Sequence, residues 1–538
     1  INKVAFVQEG NSLNGLLELN IANVSGFGKV TYSVYREGAT INGTTYYDYI
    51  KKDVELTENS NIIPLVAGYH GNYQIDIKYY NHSDDEAPLY VYNRNGINFK
   101  ADSYNFLYSN STLPVLYGAM DLVTMDHTDP TYVAIHRNAT FDWYQLPANT
   151  YAMPNTTFET KSTNLALFDD HGNQKTSIYG GWKNGSWGAV YNDGTVTNAL
   201  KHMKKWIADL YAMDNDATFT FYTDDTVANV VLWWSYGNNL DEKNFEIVMY
   251  TEGSSTVNRI RQHNYTTYAQ WRSVRAEYLD YLDDLRNGTD ITSIWKTKYA
   301  FVMNADENVR HIVNSKEAIL NTLAQNDAEY AAYRAFMGSN LEQVSISEGL
   351  AKVSAANKIE DLEFLLRTRW IDNTGAIGSA NDYFSNGNGK KNLMIIGTSV
   401  SGENNSYGAG TGTTLMTFMP YLLQTYGEEY NIFYKGHPSY PIQAFSDGRA
   451  EYFAQNNIIV LPNAVPAETY MYLYQDVYIG GYYSSTMLSS KVGQTLFFFG
   501  KEQTIKSIAA LAPFYDESDP EYLGIFENTV YINIDNIN

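Results

Sequence analysis

The stretch Asn431-Ile432-Phe433-Tyr434-Lys435-Gly436-His437-Pro438 is a short apolar run that ends abruptly in polar residues. Residues 431–434 have the length and apolar content of a buried strand, and Pro438 cannot continue one because it lacks an N–H group. Lys435 and His437 then stand at the strand's carboxyl end, where each can meet a phosphate, one as a point charge and one by a hydrogen bond. Gly436 lets the backbone come close to a ligand. An isolated His-Pro pair is more often an ordinary loop corner, so this interpretation depends on the rest of the chain.

Two further strand ends downstream carry polar residues. The predicted strand at 458–461 leads into Val465-Pro466-Ala467-Glu468, where a glutamate that opens a helix can accept hydrogen bonds from ribose hydroxyls. The predicted strand at 477–479 leads into Gly480-Gly481-Tyr482-Tyr483-Ser484-Ser485, where hydroxyls and backbone N–H groups at a helix N-terminus can hold a phosphate. Taken singly, an acidic residue in a first helical turn and a serine N-cap are both ordinary.

These strand ends belong to a longer alternation of strands and helices, which predicts parallel sheets. Further strands are predicted at 393–396 and 495–499, and upstream at 132–136, 218–222, 245–250 and 299–303. Residues 196–213 place apolar side chains on one helical face, and residues 315–369 are expected to be wholly helical. A Gly/Asn-rich stretch at 372–391 is expected to link two Rossmann-like domains, at 104–375 and 390–538. Ligands should then bind beyond the carboxyl ends of the strands.

The segment before these domains has a different pattern. Residues 29–35 and 73–80 alternate apolar and polar side chains, as half-buried strands do, and turn-rich stretches separate them. We therefore expect residues 1–103 to form an immunoglobulin-like β-sandwich.

The composition excludes several classes of function. The chain of 538 residues has 37 basic and 60 acidic residues and a formal net charge of −23, which argues against nucleic acid or anionic lipid as a partner. It has no cysteine, so thiolate catalysis and sulfur-ligated metals are excluded. It has no apolar run long enough for a transmembrane segment. The first residue, Ile1, is not methionine, so we expect a processed or trimmed chain whose signal or anchor would lie upstream.

The strand-end residues together resemble a known pattern. Lys435-Gly436-His437-Pro438, Pro466-x-Glu468 and Gly480-Gly481-x-x-Ser484-Ser485 occur in this order, each at a strand end of one predicted sheet. The set resembles the donor-binding half of glycosyltransferase family 80, bacterial sialyltransferases of GT-B fold, several of which carry an N-terminal immunoglobulin-like domain. Gly397-Thr398 is similar to the family's loop after the first strand of that half. The specific match covers roughly residues 393–490.

The resemblance implies an inverting, metal-independent transfer of sialic acid, or a related keto-acid sugar, from a CMP-linked donor to a glycan hydroxyl such as that of a galactoside. No cofactor or metal is then expected. His437, Ser484 and Ser485, with Lys435 nearby, would stabilise the charge on the departing phosphate, and His437 could also act as general acid. Glu468 would hold the ribose. The remaining residues expected at the donor site are Gly397, Thr398, Gly436, Pro438, Gly480 and Gly481.

The acceptor half departs from the family's pattern. Ser111-Thr112-Leu113-Pro114-Val115-Leu116 is similar to a family segment that the catalytic aspartate precedes by two residues, but here that position is Ser109. Serine cannot take up a proton from an acceptor hydroxyl at neutral pH. Tyr250-Thr251-Glu252-Gly253-Ser254 resembles the acidic-acidic-Gly motif of bacterial sialyltransferases, with Thr251 at one acidic position. We therefore expect Glu252 to act as the base.

Two alternatives remain open. Ser109 favours a catalytically idle descendant that binds a nucleotide or a glycan, and the donor residues identify CMP without identifying the sugar attached to it. For a working enzyme we expect a bacterial protein in the cytoplasm or peripheral to the inner membrane, where CMP-sugars are found. An envelope-anchored form is the alternative if an upstream signal has been removed.

Overall fold

The computed structural model describes residues 15–20, 24–57, 60–65, 70–135, 146–152, 198–251, 254–366, 370–371, 377–385, 387–399, 402–403, 414–437, 440, 442–462, 465–474, 476–502, 504, 526 and 528–537. Among the helices in these ranges, none is long and apolar enough to cross a membrane. Glu252 and Pro438 lie outside the described residues, and nothing is described of the side chain of Ser485.

The N-terminal segment is a β unit, as its alternating pattern predicts. Its strands are β1 (Gly15–Asn20), β2 (Lys29–Ile41), β3 (Thr44–Glu55), β4 (Ser60–Leu65), β5 (Gly71–Tyr80) and β6 (Tyr90–Phe99). Within the described part of this segment they form an antiparallel sheet of order β3-β2-β5-β6 and a separate antiparallel pair, β1-β4. The two sheets fit a sandwich, whereas the immunoglobulin-like topology stays a prediction.

The first α/β unit follows directly. Its strands are β7 (Ser103–Ser109), β8 (Thr131–Ile135), β9 (Thr150–Ala152), β10 (Thr218–Asp224), β11 (Phe245–Tyr250), β12 (Val309–Val313) and β13 (Leu341–Gln343). They pair in parallel in the order β13-β12-β11-β10-β7-β8-β9. The described helices are α1 (Thr112–Thr124), α2 (Asn198–Met213), α3 (Ala228–Ser235), α4 (Ser254–Gln262), α5 (Tyr268–Arg286), α6 (Ala300–Met303), α7 (Lys316–Leu320), α8 (Tyr330–Asn340), α9 (Ile346–Ala355) and α10 (Ile359–Leu365).

Two predicted elements of this unit are wrong. Residues 299–303 form the end of a 3₁₀ turn and helix α6 instead of a strand, because a short apolar run suits a buried helix as well as a buried strand. Residues 315–369 are not one helical segment but α7, α8, strand β13, α9 and α10. The breaks coincide with local signals: Ser315 and Ser345 cap new helices with their hydroxyls, and Asn357 has a positive φ of 56°.

The second α/β unit repeats the architecture. Its strands are β16 (Lys391–Ile396), β17 (Tyr430–Lys435), β18 (Ile459–Val460), β19 (Val477–Gly481), β20 (Thr495–Phe499) and β21 (Val530–Ile532), which follow a short antiparallel pair, β14 (Trp370–Ile371) and β15 (Ile377–Gly378). The six strands pair in parallel in the order β18-β17-β16-β19-β20-β21 among the described residues. The helices are α11 (Ala380–Phe384), α12 (Leu415–Tyr426), α13 (Arg449–Gln455) and α14 (Ala467–Leu473). Two parallel sheets in tandem, each with its helices, fit the expected GT-B architecture.

Packing connects the three units. Trp206 of α2 donates its indole N–H to the carbonyl of His70 at 2.7 Å, so the antiparallel sheet rests on the first α/β unit. Helix α14 of the second unit reaches the first, because the hydroxyl of Tyr474, directly after it, donates to Glu363 of α10. Ser379, which caps α11, donates to the other oxygen of Glu363 at 3.1 Å.

Each parallel sheet has a topological switch point, where the strand order reverses. From β7 the chain runs to β8 and β9 on one side and returns to β10 on the other, and from β16 it runs to β17 and β18 and returns to β19. In open α/β sheets the crevice beyond the carboxyl ends at such a point is where ligands bind. The two expected binding crevices therefore lie at the ends of β7 and β10 and at the ends of β16 and β19.

Candidate active site

Glycines make the switch point of the second unit compact. A Cβ atom at Gly397 would lie 2.5 Å from the hydroxyl of Tyr434, and one at Gly480 would lie 2.5 Å from the ring of Phe497. Gly481 has a φ of +133°, a conformation that side chains disfavour, and its missing Cβ would collide with the carbonyl of Ile396. These positions require glycine, because neighbouring side chains and backbone fill the space that a Cβ atom would take.

The register of the sheet places the ends of β16, β17 and β19 side by side. Ile396, the last residue of β16, pairs with Lys435 of β17 on one side and with Gly481 of β19 on the other. The N–H of Gly397 donates to the carbonyl of Lys435 at 2.9 Å, which holds the first loop against the second. Residues separated by more than 80 positions in sequence therefore meet at one edge.

A buried charge pair lies at this edge. The side chains of Lys435 and Glu468 are both buried, and their charges interact. Burial lowers the pKa of Lys435 to about 8, and the charge of Glu468 offsets part of that shift. Burial raises the pKa of Glu468, while a hydrogen bond from Thr486 and the charge of Lys435 oppose the rise. Glu468 opens α14 as the sequence predicts, and the lysine amino group also donates to the carbonyl of Gly436 at 2.8 Å.

The remaining predicted donor residues surround this pair. His437 is half-buried directly beyond β17, with its ring 5.4 Å from that of Tyr440, and Thr398 is half-buried beyond β16. Ser484 is the N-cap residue of a helical turn, and its hydroxyl accepts the N–H of Thr486 at 3.4 Å. That turn, Ser485–Ser489, is a 3₁₀ helix and not the α-helix that a phosphate-binding N-terminus suggests. Hydroxyls, more than aligned helix N–H groups, are what this loop offers a ligand.

A second polar cluster lies at the switch point of the first unit. Ser109 ends β7, and its hydroxyl donates to Oδ2 of Asp224, the last residue of β10, at 2.8 Å. The backbone N–H groups of Asn110 and Ser111 donate to the same oxygen at 2.6 and 3.2 Å. The other oxygen, Oδ1, accepts the N–H of Thr226 at 2.9 Å and also its hydroxyl. Asp224 therefore joins the two strand ends through a buried carboxylate.

The neighbouring carboxylate, Asp225, binds a different set of side chains from those that bind Asp224. It accepts a hydrogen bond from the guanidinium of Arg259 on α4 at 3.0 Å and another from the hydroxyl of Thr256. Thr251, at the acidic position of the motif, donates its hydroxyl to the carbonyl of Ile312 at 2.9 Å. The geometry of Glu252, which follows Thr251, lies outside the described residues, so its role as base stays a prediction.

Three residues at these edges were not predicted from the sequence: Thr486, Asp224 and Asp225. Thr486 contributes the hydrogen bond to Glu468, and it directly follows the predicted Ser484-Ser485 pair. Asp224 and Asp225 follow an apolar strand, which is the same signal that drew attention to Lys435 and Glu468. The same strand-end signal is therefore present at β10. Among the described residues, no group of three or more His, Asp or Glu side chains could hold a metal ion.

Solved structures similar to this chain share only low sequence identity with it. No protein-family model matches the chain, and neither does any curated protein. The chain is similar to an α/β-galactoside α-2,3-sialyltransferase from Photobacterium phosphoreum, with 13% identity over 82% of this chain and 100% of that one, at a TM-score of 0.49. It is also similar to a 2,6-sialyltransferase from Photobacterium sp. JT-ISH-224, solved with CMP and lactose, with 15% identity over 96% and 94% of the two chains, at a TM-score of 0.47.

A third neighbour is the GT-B domain of a sialyltransferase from Photobacterium damselae, with 13% identity over 80% of this chain and 100% of that one, at a TM-score of 0.47. Similarity at this level does not carry an activity from one protein to another. A function for this chain must rest on the residues at its own two strand edges.

Proposed function

We propose that this protein is a glycosyltransferase that moves sialic acid, or a related keto-acid sugar, from a CMP-linked donor to a hydroxyl of a glycan such as a galactoside. The observation that carries the proposal is the convergence of Lys435, Glu468 and the Gly480-Gly481 strand end at the switch point of the second unit. A cation suits the phosphate of a nucleoside monophosphate, and a carboxylate suits its ribose hydroxyls.

In this proposal each donor residue has a separate task. Glu468 accepts hydrogen bonds from the ribose hydroxyls, and Lys435 supplies positive charge beside the phosphate. His437, Ser484 and Ser485 donate hydrogen bonds to the phosphate as negative charge develops on it, and His437 can transfer a proton to it as general acid. Gly397, Thr398, Gly436, Pro438, Gly480 and Gly481 shape the loops that meet the nucleotide.

The proposed reaction is a single displacement that inverts the anomeric centre and uses no metal. The acceptor oxygen attacks the donor sugar from the face opposite the phosphate, the bond between the sugar and the phosphate oxygen breaks, and CMP leaves. Removing each hydrogen bond that stabilises the departing phosphate should cost about 2.7–4 kcal/mol of transition-state stabilisation. The acceptor hydroxyl loses its proton to a base, for which the sequence offers Glu252. A bacterial enzyme of this kind would work where CMP-sugars are made.

The first test is CMP release from CMP-sialic acid, measured with and without lactose, beside a His437→Ala variant. We expect release that rises with lactose and a large loss in the variant, which should still bind CMP. Failure of the wild-type protein to bind CMP at all would overturn the proposal.

Ser109 supports a second candidate, a nucleotide- or glycan-binding protein without activity on this scaffold. The same experiment separates the two, because such a protein would bind CMP and release none from the donor in the presence of lactose or other galactosides.

A further inference from the structure

The turn that follows the predicted phosphate-binding strand end is bound to the helix that carries Glu468. This inference rests on the proposed function. The hydroxyl of Tyr472, on α14, donates to the carbonyl of Ser489, the last residue of the 3₁₀ turn Ser485–Ser489. Met487 of that turn lies in the same apolar cluster as residues of α14. The two segments that carry the predicted ribose and phosphate residues therefore pack together.

Thr486 contacts a predicted ligand residue on each of these segments. Its hydroxyl donates a hydrogen bond to the carboxylate of Glu468, and its backbone N–H donates to the hydroxyl of Ser484 at 3.4 Å. Thr486 is 9% exposed and Glu468 is 6% exposed, whereas Ser484 is half-buried. A nucleotide does not have to reach Thr486, because this residue can act on it through the two residues that it contacts.

The hydrogen bond from Thr486 fixes the direction in which the Glu468 carboxylate presents its lone pairs. The last side-chain torsion of a glutamate has a broad preference, so its carboxylate plane needs a further contact to define it. A carboxylate has about four lone-pair sites on two oxygens, and a donor at one site defines where the others lie. The bond also opposes the rise that burial causes in the pKa of Glu468, and so favours the ionised form that accepts ribose hydroxyls.

Thr486 is itself held from two sides. Its N–H uses a lone pair of Ser484, the N-cap residue of the turn, and the far end of the turn is bound by Tyr472. A serine hydroxyl that accepts in this way still has a hydrogen, which can donate to a phosphate oxygen. The loop that meets the phosphate therefore also sets the position of the threonine hydroxyl beside Glu468.

We infer that Thr486 is a positioning residue that orients Glu468 for the ribose hydroxyls and so sets the preference of the donor site for a ribonucleotide. Glu468 touches the ribose, and Thr486 touches only Glu468 and Ser484. Loss of the threonine hydroxyl should then weaken only that part of the binding which depends on the ribose hydroxyls.

The test compares Thr486→Val, which keeps the shape of the side chain without its hydroxyl, with Thr486→Ser, which keeps the hydroxyl. Isothermal titration calorimetry measures the Kd for CMP and for 2′,3′-dideoxy-CMP, a probe without the hydroxyls that Glu468 would bind. We expect Thr486→Val to raise the Kd for CMP about tenfold and to leave that for the dideoxy probe within about twofold. Thr486→Ser should bind CMP within about threefold of the wild type.

The matched control is Thr529→Val, which removes a threonine hydroxyl from the same unit at the opposite edge of the sheet. There Thr529, directly before β21, donates to the carbonyl of Thr495 at the start of β20, at 3.0 Å. This variant should bind both nucleotides as the wild type does, and circular dichroism checks the folding of all three variants.

A merely structural role for Thr486 would weaken the binding of both nucleotides. Equal losses for CMP and the dideoxy probe in Thr486→Val, unchanged binding of CMP in that variant, or no recovery in Thr486→Ser would each overturn this inference and leave the proposed function standing. A wild-type protein that binds no CMP refutes the proposed function itself, and this inference with it.

Discussion

At the scale of single residues, burial shifts the pKa values of the charged groups at the candidate donor site. Lys435 and Glu468 have pKa values shifted in opposite directions by the same cause, loss of water around a charged group. A surface lysine would attract a phosphate only weakly through water, whereas a buried lysine interacts with it much more strongly. The shifted pKa makes this attraction dependent on pH near the physiological range.

We predict that the affinity for CMP falls as the pH rises above about 8. The pKa of Lys435 is lowered to about 8, so the ammonium form that attracts phosphate predominates below that pH and is lost above it. Bound phosphate favours the charged lysine, so the decline begins near this value and continues at higher pH. Isothermal titration calorimetry with CMP across this range measures it.

The matched control is Lys435→Met, which is similar in length and has no charge. It should bind CMP more weakly at neutral pH and show no decline above pH 8. A decline of equal size in Lys435→Met would assign the pH dependence to another group.

At the scale of elements, a buried ion cluster connects the loop after β16 with helix α13. The guanidinium of Arg449 is 0% exposed and donates to both oxygens of Glu403, at 2.9 and 2.8 Å. It also donates to both oxygens of Asp447, at 2.9 and 2.6 Å, and lies over the ring of Phe445. The cluster holds Glu403, in the loop that begins with Gly397 and Thr398, against the start of helix α13.

We predict that Arg449→Met lowers the free energy of unfolding by about 3–5 kcal/mol, because it leaves the buried carboxylate of Glu403 and the partly buried one of Asp447 without their cation. The control is Arg310→Met, which removes a comparable bidentate ion pair, formed on the protein surface with Glu342. The exposed Arg310–Glu342 pair should contribute no more than about 1 kcal/mol to the free energy of unfolding. Urea denaturation of both variants measures the difference, and equal losses would contradict the argument.

At the scale of the whole molecule, helix α14 connects the candidate donor site with the first α/β unit. Glu468 lies in its first turn at the donor edge, and Tyr474 follows its last residue and binds Glu363 of α10. Tyr472 and Leu473 pack against the apolar clusters of both units. One short helix therefore runs from the candidate donor site to the contact between the two units.

We predict that Tyr474→Phe destabilises the protein by about 1–3 kcal/mol, since it removes a hydrogen bond to the buried carboxylate of Glu363. The loss should weaken the contact between the two units and speed proteolysis within residues 372–391. Tyr472→Phe is the control, because the hydroxyl of Tyr472 donates to the carbonyl of Ser489 inside the second unit. Equal proteolysis rates in the two variants would show that the Tyr474 contact does not hold the units together.

Local patterns in the sequence were sufficient for much of the fold. Period-two alternation predicted strands β2 and β5, and apolar runs between polar turns predicted β10, β11, β17, β19 and β20 to within a few residues. Strand ends rich in Lys, His, Glu, Gly and Ser predicted where the second sheet's candidate site lies. These signals lie within short segments of sequence. The carboxyl ends of the strands in a parallel sheet all lie at one edge, so such segments are sufficient to predict where the candidate site lies.

Only the tertiary structure decided what depends on contacts between distant segments. No local pattern shows that residues 299–303 are helical, that Lys435 and Glu468 are buried together, or that Asp224 accepts the hydroxyl of Ser109 from 115 positions away. Strand order and register bring these groups together, and burial then sets their charges. The sequence by itself determined the kinds of residue at the strand ends, and the sheets determined which of them meet.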